Sequence, residues 1–521
     1  MSSITSNTVN LCCLPQLRPP VCPSAGTIQA RLILLGVLAD QRNPRRPATI
    51  EQTSKRGPRS RIVDHNVNVT DCARRQELDM LPRGRATERW DHLAERQCTM
   101  DTSSTDRGRI EAPVWPDARP PITLPYILFV CAPLEIDEQG RRWTAASWAK
   151  DLALHLDYLS DLTLVSPATR TSSRSAKLIS LNDPPFDRLK YIDLPCPTSR
   201  WEALKTLPSH VLQYWRAIGR GRIVHVGFAG WPINQGLLAI PIAKIRGRFI
   251  LANVESSFWR ASGPASWSRR LQGSLYEVLT RICLRLGDVR LFTSQAYLQE
   301  LMPPGAPRAY VTPATWLDEE WILSEAEARE AWAAKAGPVR LLFASRLIPE
   351  KGVFVLLSAI KAAAAVGTNV EFSIHPIGEG GLRDACVAAA RALAGGARVT
   401  ILDEVPFGEP FMRLLRRFDA VLLPSLSDEQ PRVAYEALSQ AVPVIGSATG
   451  GIREVVESGV NGRLSPPNDV DRLAESFIWA GQNRAELTEM GLRGLRSVRH
   501  STHKAMHRNR HELLLRALGE L

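Results

Sequence analysis

Two acidic positions and a pair of cations carry the most chemistry in this chain of 521 residues. In residues 422–436 (LLPSLSDEQPRVAYE) an apolar strand runs into an acidic loop, and a helix is predicted to start at Pro431, with Glu436 following Asp428 and Glu429 in the next turns. Proline suits a first helical position, whose N–H has no intrahelical partner in any case. The amides of Arg432 and Val433 are then expected to face the loop as an anion site, leaving the carboxylates to accept hydrogen bonds from sugar hydroxyls. Arg346 and Lys351 follow the apolar run VRLLFAS, where a guanidinium and an ammonium can neutralise a diphosphate. A plainer reading stays open, with Asp428 and Glu429 as helix caps and the two cations as surface decoration. Read together, these groups suit a nucleotide sugar.

Elements that can hold such groups alternate regularly from residue 125 onward. YILFVC, a strand near 162–166, RIVHV, RFILANV and VRLFTS form one series, and VRLLFAS, VEFSIHP, RVTIL, AVLLPS and PVIGS form a second. Helices are expected over 143–159, from near Pro232 and over 268–286. Short, continuously apolar strands separated by helices imply parallel sheets covered on both faces, hence two Rossmann-like domains. Ligands of such sheets bind beyond the carboxyl ends of the strands. The boundaries expected are 1–118 for an N-terminal extension, 119–320 and 321–498 for the two domains, and 499–521 for a terminal helix at their junction. His500, His503, His507 and His511 recur there at near-helical spacing and read as a basic surface face.

Composition bounds the remainder. A hydrophobic content of 44% is ordinary for a water-soluble chain, and no apolar run reaches the roughly 18 residues needed to cross a bilayer, so a cytoplasmic protein is expected. Nine cysteines without a paired spacing indicate neither a disulfide framework nor a zinc site. Asp469 and Asp471 form an Asp-x-Asp at the start of a helical stretch, better explained by capping than by a divalent ion; no metal is expected. Residues 1–110 hold sixteen Arg and one Lys against eleven acids, about half of the net charge of +12. Rich in Arg, Pro, Ser and Thr and without periodicity, this extension is expected to be disordered or to precede the true start, at Met80 or Met100. It lacks the interleaved aromatic residues of a nucleic-acid-binding arm, so no nucleic acid is expected.

The acidic loop, the helix at Pro431, the apolar run AVPVIGS and the pair Gly450 and Gly451, in that order, resemble the donor-site signature of retaining glycosyltransferases of family GT4. ASRLIPEKGVFVLLSAI, IHPIGEGG, VTILDEV and GGIREVVESGVNGRLSPPNDVDRLAE agree in order and spacing, so the resemblance is firm over about 339–479 and weaker over 125–312. It departs at Asp428, where most relatives have Glu, and at Pro431, a usual Gly position. The resemblance implies a GT-B architecture, with two Rossmann-like domains facing a cleft. It also implies transfer from a nucleoside diphosphate sugar, as co-substrate and without a further cofactor, to a saccharide or lipid-linked acceptor. Polysaccharide synthesis against the inner face of a membrane is the setting it suggests. By the same resemblance Arg346 and Lys351 hold the diphosphate, Glu436 the ribose, Asp428 or Glu429 the transferred sugar, and Val405 the base through its backbone. Gly450, Gly451 and Gly140 let the chain approach sugar or phosphate. Glu255 stands where many relatives have His, able to stabilise charge at the anomeric carbon, or merely to pair with Arg260 or a nearby amide. A silent nucleotide-sugar binder and a nucleotide-sugar epimerase remain alternatives.

Overall fold

In the computed structural model the residues described are 119–519, apart from 173–177, 198, 230–233, 257–258, 260–265, 379, 394–397 and 428–429. The N-terminal extension therefore lies outside the described residues. The first domain is built on a ten-stranded sheet. Its strands are β1 (Tyr126–Phe129), β2 (Leu134–Ile136), β3 (Arg142–Ala145), β4 (Leu162–Arg170), β5 (Leu178–Ser180), β6 (Lys190–Leu194), β7 (Ile223–Gly227), β8 (Phe249–Val254), β9 (Val289–Phe292) and β10 (Ala309–Val311). The order is β10-β9-β8-β7-β1-β4-β2-β3-β5, with β6 also paired to β4. Strands β1, β4 and β6 to β10 are all parallel. Helices α1 (Ala146–Leu156), α2 (Arg200–Arg220), α3 (Gln235–Ile245), α4 (Trp267–Leu286) and α5 (Gln295–Leu301) connect them.

The second domain holds β11 (Val339–Ser345), β12 (Val370–Pro376), β13 (Arg398–Ile401), β14 (Ala420–Leu423), β15 (Val444–Ser447) and β16 (Gly462–Ser465), all parallel, in the order β13-β12-β11-β14-β15-β16. Its helices are α6 (Glu325–Ala333), α7 (Val353–Ala365), α8 (Arg383–Leu393), α9 (Glu409–Arg416), α10 (Arg432–Ser439), α11 (Gly450–Arg453), α12 (Val470–Gln482) and α13 (Arg484–Val498). Every residue of β14 and β15 is buried, because helices cover both faces of the sheet. Asp469 accepts from the Arg472 amide at 2.9 Å and caps α12, the role its sequence suggested.

Two departures from the sequence reading stand in the first domain, in the first two helices. The helix expected from residue 143 begins at Ala146, because the chain before it is the second strand of a β2–β3 hairpin turned by Asp137, whose carboxylate accepts from the Gln139 and Arg141 amides. Helix α2 was not foreseen, since Pro208 inside it reads as a breaker. The last helix, α14 (His503–Gly519), leaves the second domain and packs Leu513, Leu514 and Ala517 into the core of the first.

That crossing also corrects the histidine reading: His503, His507 and His511 are buried rather than on a basic surface. Asp151 of α1 explains why. Its Oδ1 lies 3.0 Å from Nε2 of both His503 and His507. Burial alone would raise the Asp151 pKa, but His155, His503 and His507 hold it well below the carboxylate range. Burial also pushes His507 down to about 3, so it is a neutral donor. Asp151, His155 and His507 bring potential ligand atoms within 4.8 Å of one another. The buried guanidinium of Arg510 stands there too, with Nη1 3.2 Å from His155 Nε2.

Candidate functional site

The strands that carry the predicted cations and carboxylates are neighbours. β11 pairs with β14, Phe343 opposite Leu422, so the loops that leave them rise side by side at the carboxyl edge of the second sheet. Arg346 is the first residue past β11, and Lys351 closes a short 3-10 turn over Pro349–Lys351; both are half-buried. Gly352 follows with φ +72° and accepts the Pro424 carbonyl where a Cβ would sit, 1.8 Å from that oxygen. Only glycine allows this approach. The Leu426 amide donates to the Glu350 carbonyl at 2.9 Å. The loop of Lys351 and the loop leading to Glu436 are thus stitched together by backbone. Leu382 N–H donates to the Leu347 carbonyl and Gly380 packs on the same residue, which adds the IGEGG loop to the cluster.

Pro431 caps α10, and Glu436 lies one turn in, only 5% exposed. Burial pushes its pKa up to about 7, while Arg432, four residues earlier on the same face, pulls it down. One expectation fails here. The Arg432 amide donates to the Gln430 carbonyl at 3.1 Å, because Pro431, at φ −85° and ψ 85°, forms a three-residue turn just before the helix. Of the two amides assigned to an anion, the one left to that role is Val433's. Asp428 and Glu429 lie outside the described residues, so the structure carries no account of their contact with a sugar.

Gly450 and Gly451 open α11, beyond β15 at the same edge. The Val405 N–H donates to His375 Nε2 at 2.9 Å, so its carbonyl is the backbone atom left for a base. Gly140, at φ +78°, sits exposed at the tip of the β2–β3 hairpin, where its N–H donates to the Asp137 carbonyl. The turn accounts for that glycine, and it belongs to no glycine-rich phosphate loop.

Across from these loops, Glu255 directly follows β8 and accepts from Asn253 Nδ2 at 2.8 Å, the neighbouring-amide pairing; Arg260 lies outside the described residues. Its side chain is open to solvent but walled by protein, as on the side of a cleft. Burial raises its pKa, Arg510 lowers it, Asp151 raises it and Arg432 lowers it. A first-domain carboxylate therefore senses cations of α10 and α14 together. Sequence reasoning missed Trp316 in the linker, which stacks on His503 at 5.3 Å and lies under the Arg432 guanidinium at 5.3 Å. It also missed two buried polar atoms at the carboxyl edge, His375 Nδ1 and Thr449 Oγ1, neither with a partner among the described residues. Orphans of this kind mark where a ligand or water completes a site.

Comparison with known proteins bears on the fold and on the second domain's sequence. Residues 324–494 match the model of the family described as glycosyl transferases group 1. The amylovoran biosynthesis glycosyltransferase AmsK of Erwinia amylovora is 31% identical over 163 residues, 30% of this chain and 39% of that protein. A D-inositol 3-phosphate glycosyltransferase of Mycobacterium sp. (strain JLS) is 34% identical over 168 residues, 32% of this chain and 38% of its own length. These matches span about two fifths of each relative. Among solved structures, sucrose-phosphate synthase from Thermosynechococcus elongatus superposes with a TM-score of 0.56 at 18% identity, over 76% of this chain and 100% of the other. Anabaena Alr3699/HepE in complex with UDP and glucose gives 0.51 at 16% identity, over 76% and 100%. The fold is the GT-B arrangement of two Rossmann-like domains facing a cleft. The resemblance to the family described as glycosyl transferases group 1 therefore extends over residues 324–494 of this chain.

Proposed function

We propose that this protein is a retaining, metal-independent hexosyltransferase of GT4 type. It moves a sugar from a nucleoside diphosphate donor to a saccharide or lipid-linked acceptor, in cell-surface or extracellular polysaccharide synthesis, in the cytoplasm or against the inner face of the membrane. The observation that carries the reading is the backbone stitching of the Lys351 loop to the loop and helix of Glu436. It gathers two cations, a helix start and a buried carboxylate at one strand edge. Relatives named for amylovoran biosynthesis and inositol phosphate glycosylation, and a structural neighbour holding UDP and glucose, support the substrate class.

In this mechanism Arg346 and Lys351 take up the charge of the departing diphosphate, and Val433 N–H points to it from the start of α10. Glu436 holds the ribose hydroxyls and Val405 the base through its carbonyl. Asp428 or Glu429 holds the transferred sugar. Glu255 faces the reacting carbon from the first domain, where a carboxylate stabilises developing positive charge. The acceptor hydroxyl enters on the face the diphosphate leaves and passes it its proton, so the anomeric configuration is kept. Charge stabilisation in a closed cleft is worth several kcal/mol to such a step.

The test is a panel of UDP, GDP and ADP sugars scored by thermal stabilisation, since a ligand at a hundred times its Kd adds about 2.7 kcal/mol to the folded state. Product analysis follows with the donor that binds. An α-linked glycoside from an α-linked donor is expected; an inverted linkage, or no stabilisation by any nucleotide sugar, would overturn the proposal.

A further inference from the structure

Helices α2 and α4 each carry two apolar faces, where a helix lying on a soluble domain needs one. On α4 the inner face, with Thr280, Cys283 and Leu284, is buried. On its opposite side Trp267, Leu271, Leu275, Val278 and Ile282 are all exposed, Trp267 by 78%. Their spacing sets them in one stripe along the helix. α2 repeats the design: Ala203, Tyr214, Ala217 and Ile218 face the core, and Trp201, Leu204, Leu212 and Trp215 face outward, Trp201 by 75%. α3 packs between the two helices, so the stripes flank a single face of the first domain. Isolated exposed apolar residues are ordinary; two aligned stripes mark an interaction surface.

We infer that the outward faces of α2 and α4 form one docking surface for an anionic lipid bilayer. Charge selects this occupant. Lys205, Arg216, Arg270 and Arg285 are exposed beside the stripes, and the exposed acid on the two helices is Glu202. An apolar stripe edged by cations is the pattern of a helix lying in the plane of an anionic membrane surface, with Trp at the headgroup level. A second copy docking face to face would set these cations against their like, and the chain's first 110 residues carry an excess of Arg over acids as well. Neither complements the surface.

Position gives the surface a use. α2 follows β6 and α4 follows β8, and both strands run parallel to their neighbours. The helix starts, with Trp201 and Trp267, therefore lie at the carboxyl edge of the first sheet, where the cleft opens. A docked protein would present that cleft to an acceptor anchored in the bilayer. The inference deepens the proposed function and rests on it only for what the membrane carries.

The test is sedimentation of the full chain with vesicles of phosphatidylcholine alone and with added phosphatidylglycerol, at low and high salt, together with light scattering in solution. We expect binding to anionic vesicles that weakens with salt. It should fall about tenfold or more in Trp267→Ser/Leu271→Ser, and in Arg270→Glu/Arg285→Glu. Thermal midpoints of both variants should stay at the wild-type value, since the side chains are exposed. A full chain that stays in solution beside anionic vesicles at low salt overturns the inference. So does binding that neither variant weakens, or a dimer in solution that Trp267→Ser/Leu271→Ser splits. Donor stabilisation is measured without lipid, so failure of vesicle binding and failure of the proposed function are read separately.

Discussion

Glu436 couples donor binding to pH through its own burial. Its folded pKa of about 7 stands above the ordinary 4.5, so the stability it contributes is fully present below 4.5 and is lost as pH rises through 7. Glu436's own share therefore favours pH 5 over pH 8, and Glu436→Gln should raise the melting temperature relative to the wild type more at pH 8 than at pH 5. Ribose hydroxyls need the carboxylate as acceptor, so below pH 7 binding must first expel a proton, and affinity should weaken by up to about tenfold per pH unit. Titrating the donor nucleotide between pH 5.5 and 8 tests this; a flat profile in the wild type would remove Glu436 from the ribose. At Arg346 and Lys351, replacement by Ala is expected to cut turnover by orders of magnitude while the melting temperature changes little, because both sit in loops and are half-buried. Near-normal turnover in either variant would take that residue out of the mechanism.

At the scale of elements, the strands of the second domain were legible because burial on both faces leaves them as unbroken apolar runs, and VRLLFAS and VEFSIHP match β11 and β12 end to end. The first domain was harder to read. The alternation of Leu134, Glu135 and Ile136 before the turn at Asp137 is too short to stand out as a strand, and Pro208 interrupts the helical pattern of α2. Helix α14 misled for a different reason: its buried face is polar because the group it meets is Asp151, 352 residues earlier, and no local pattern reveals that carboxylate. The same contact gives a pH prediction of opposite sign to that of Glu436. His507 is pushed down to about 3 from 6.5, so the unfolded chain binds more protons in that interval. Stability is present above 6.5 and falls as pH drops toward 3; Asp151, also depressed, adds its loss below about 4. In His507→Gln the amide can still donate to Asp151 but does not titrate. The fall in melting temperature between pH 6.5 and 5 should be shallower in that variant, and an unchanged slope would clear His507 of the effect.

The two domains meet through groups that also border the site, so closure and binding share contacts. Glu454, directly after α11, accepts the Gln295 and Ala296 amides at the start of α5, each at 2.9 Å, placing a carboxylate of one domain on the helix start of the other. Charge-assisted bonds at a helix N-terminus are among the stronger surface contacts, worth about 1 to 2 kcal/mol. Trp316 joins the same boundary from the linker, edge-on to Trp148 of α1 and stacked on His503 of α14. The latch therefore holds Gly450 and Gly451 toward the first domain, while Glu255 approaches Arg432 from the other side. Removing it should open the cleft without unfolding either sheet. In Glu454→Ala the radius of gyration of the empty protein is expected to grow, the melting temperature to change little, and kcat to fall more than donor affinity, because Arg346, Lys351 and Glu436 all belong to one domain and Glu255 to the other. Small-angle scattering with and without donor, beside steady-state kinetics, checks this. Loss of donor affinity with an unchanged radius would instead make Glu454 a support of the α11 glycines rather than a latch between domains.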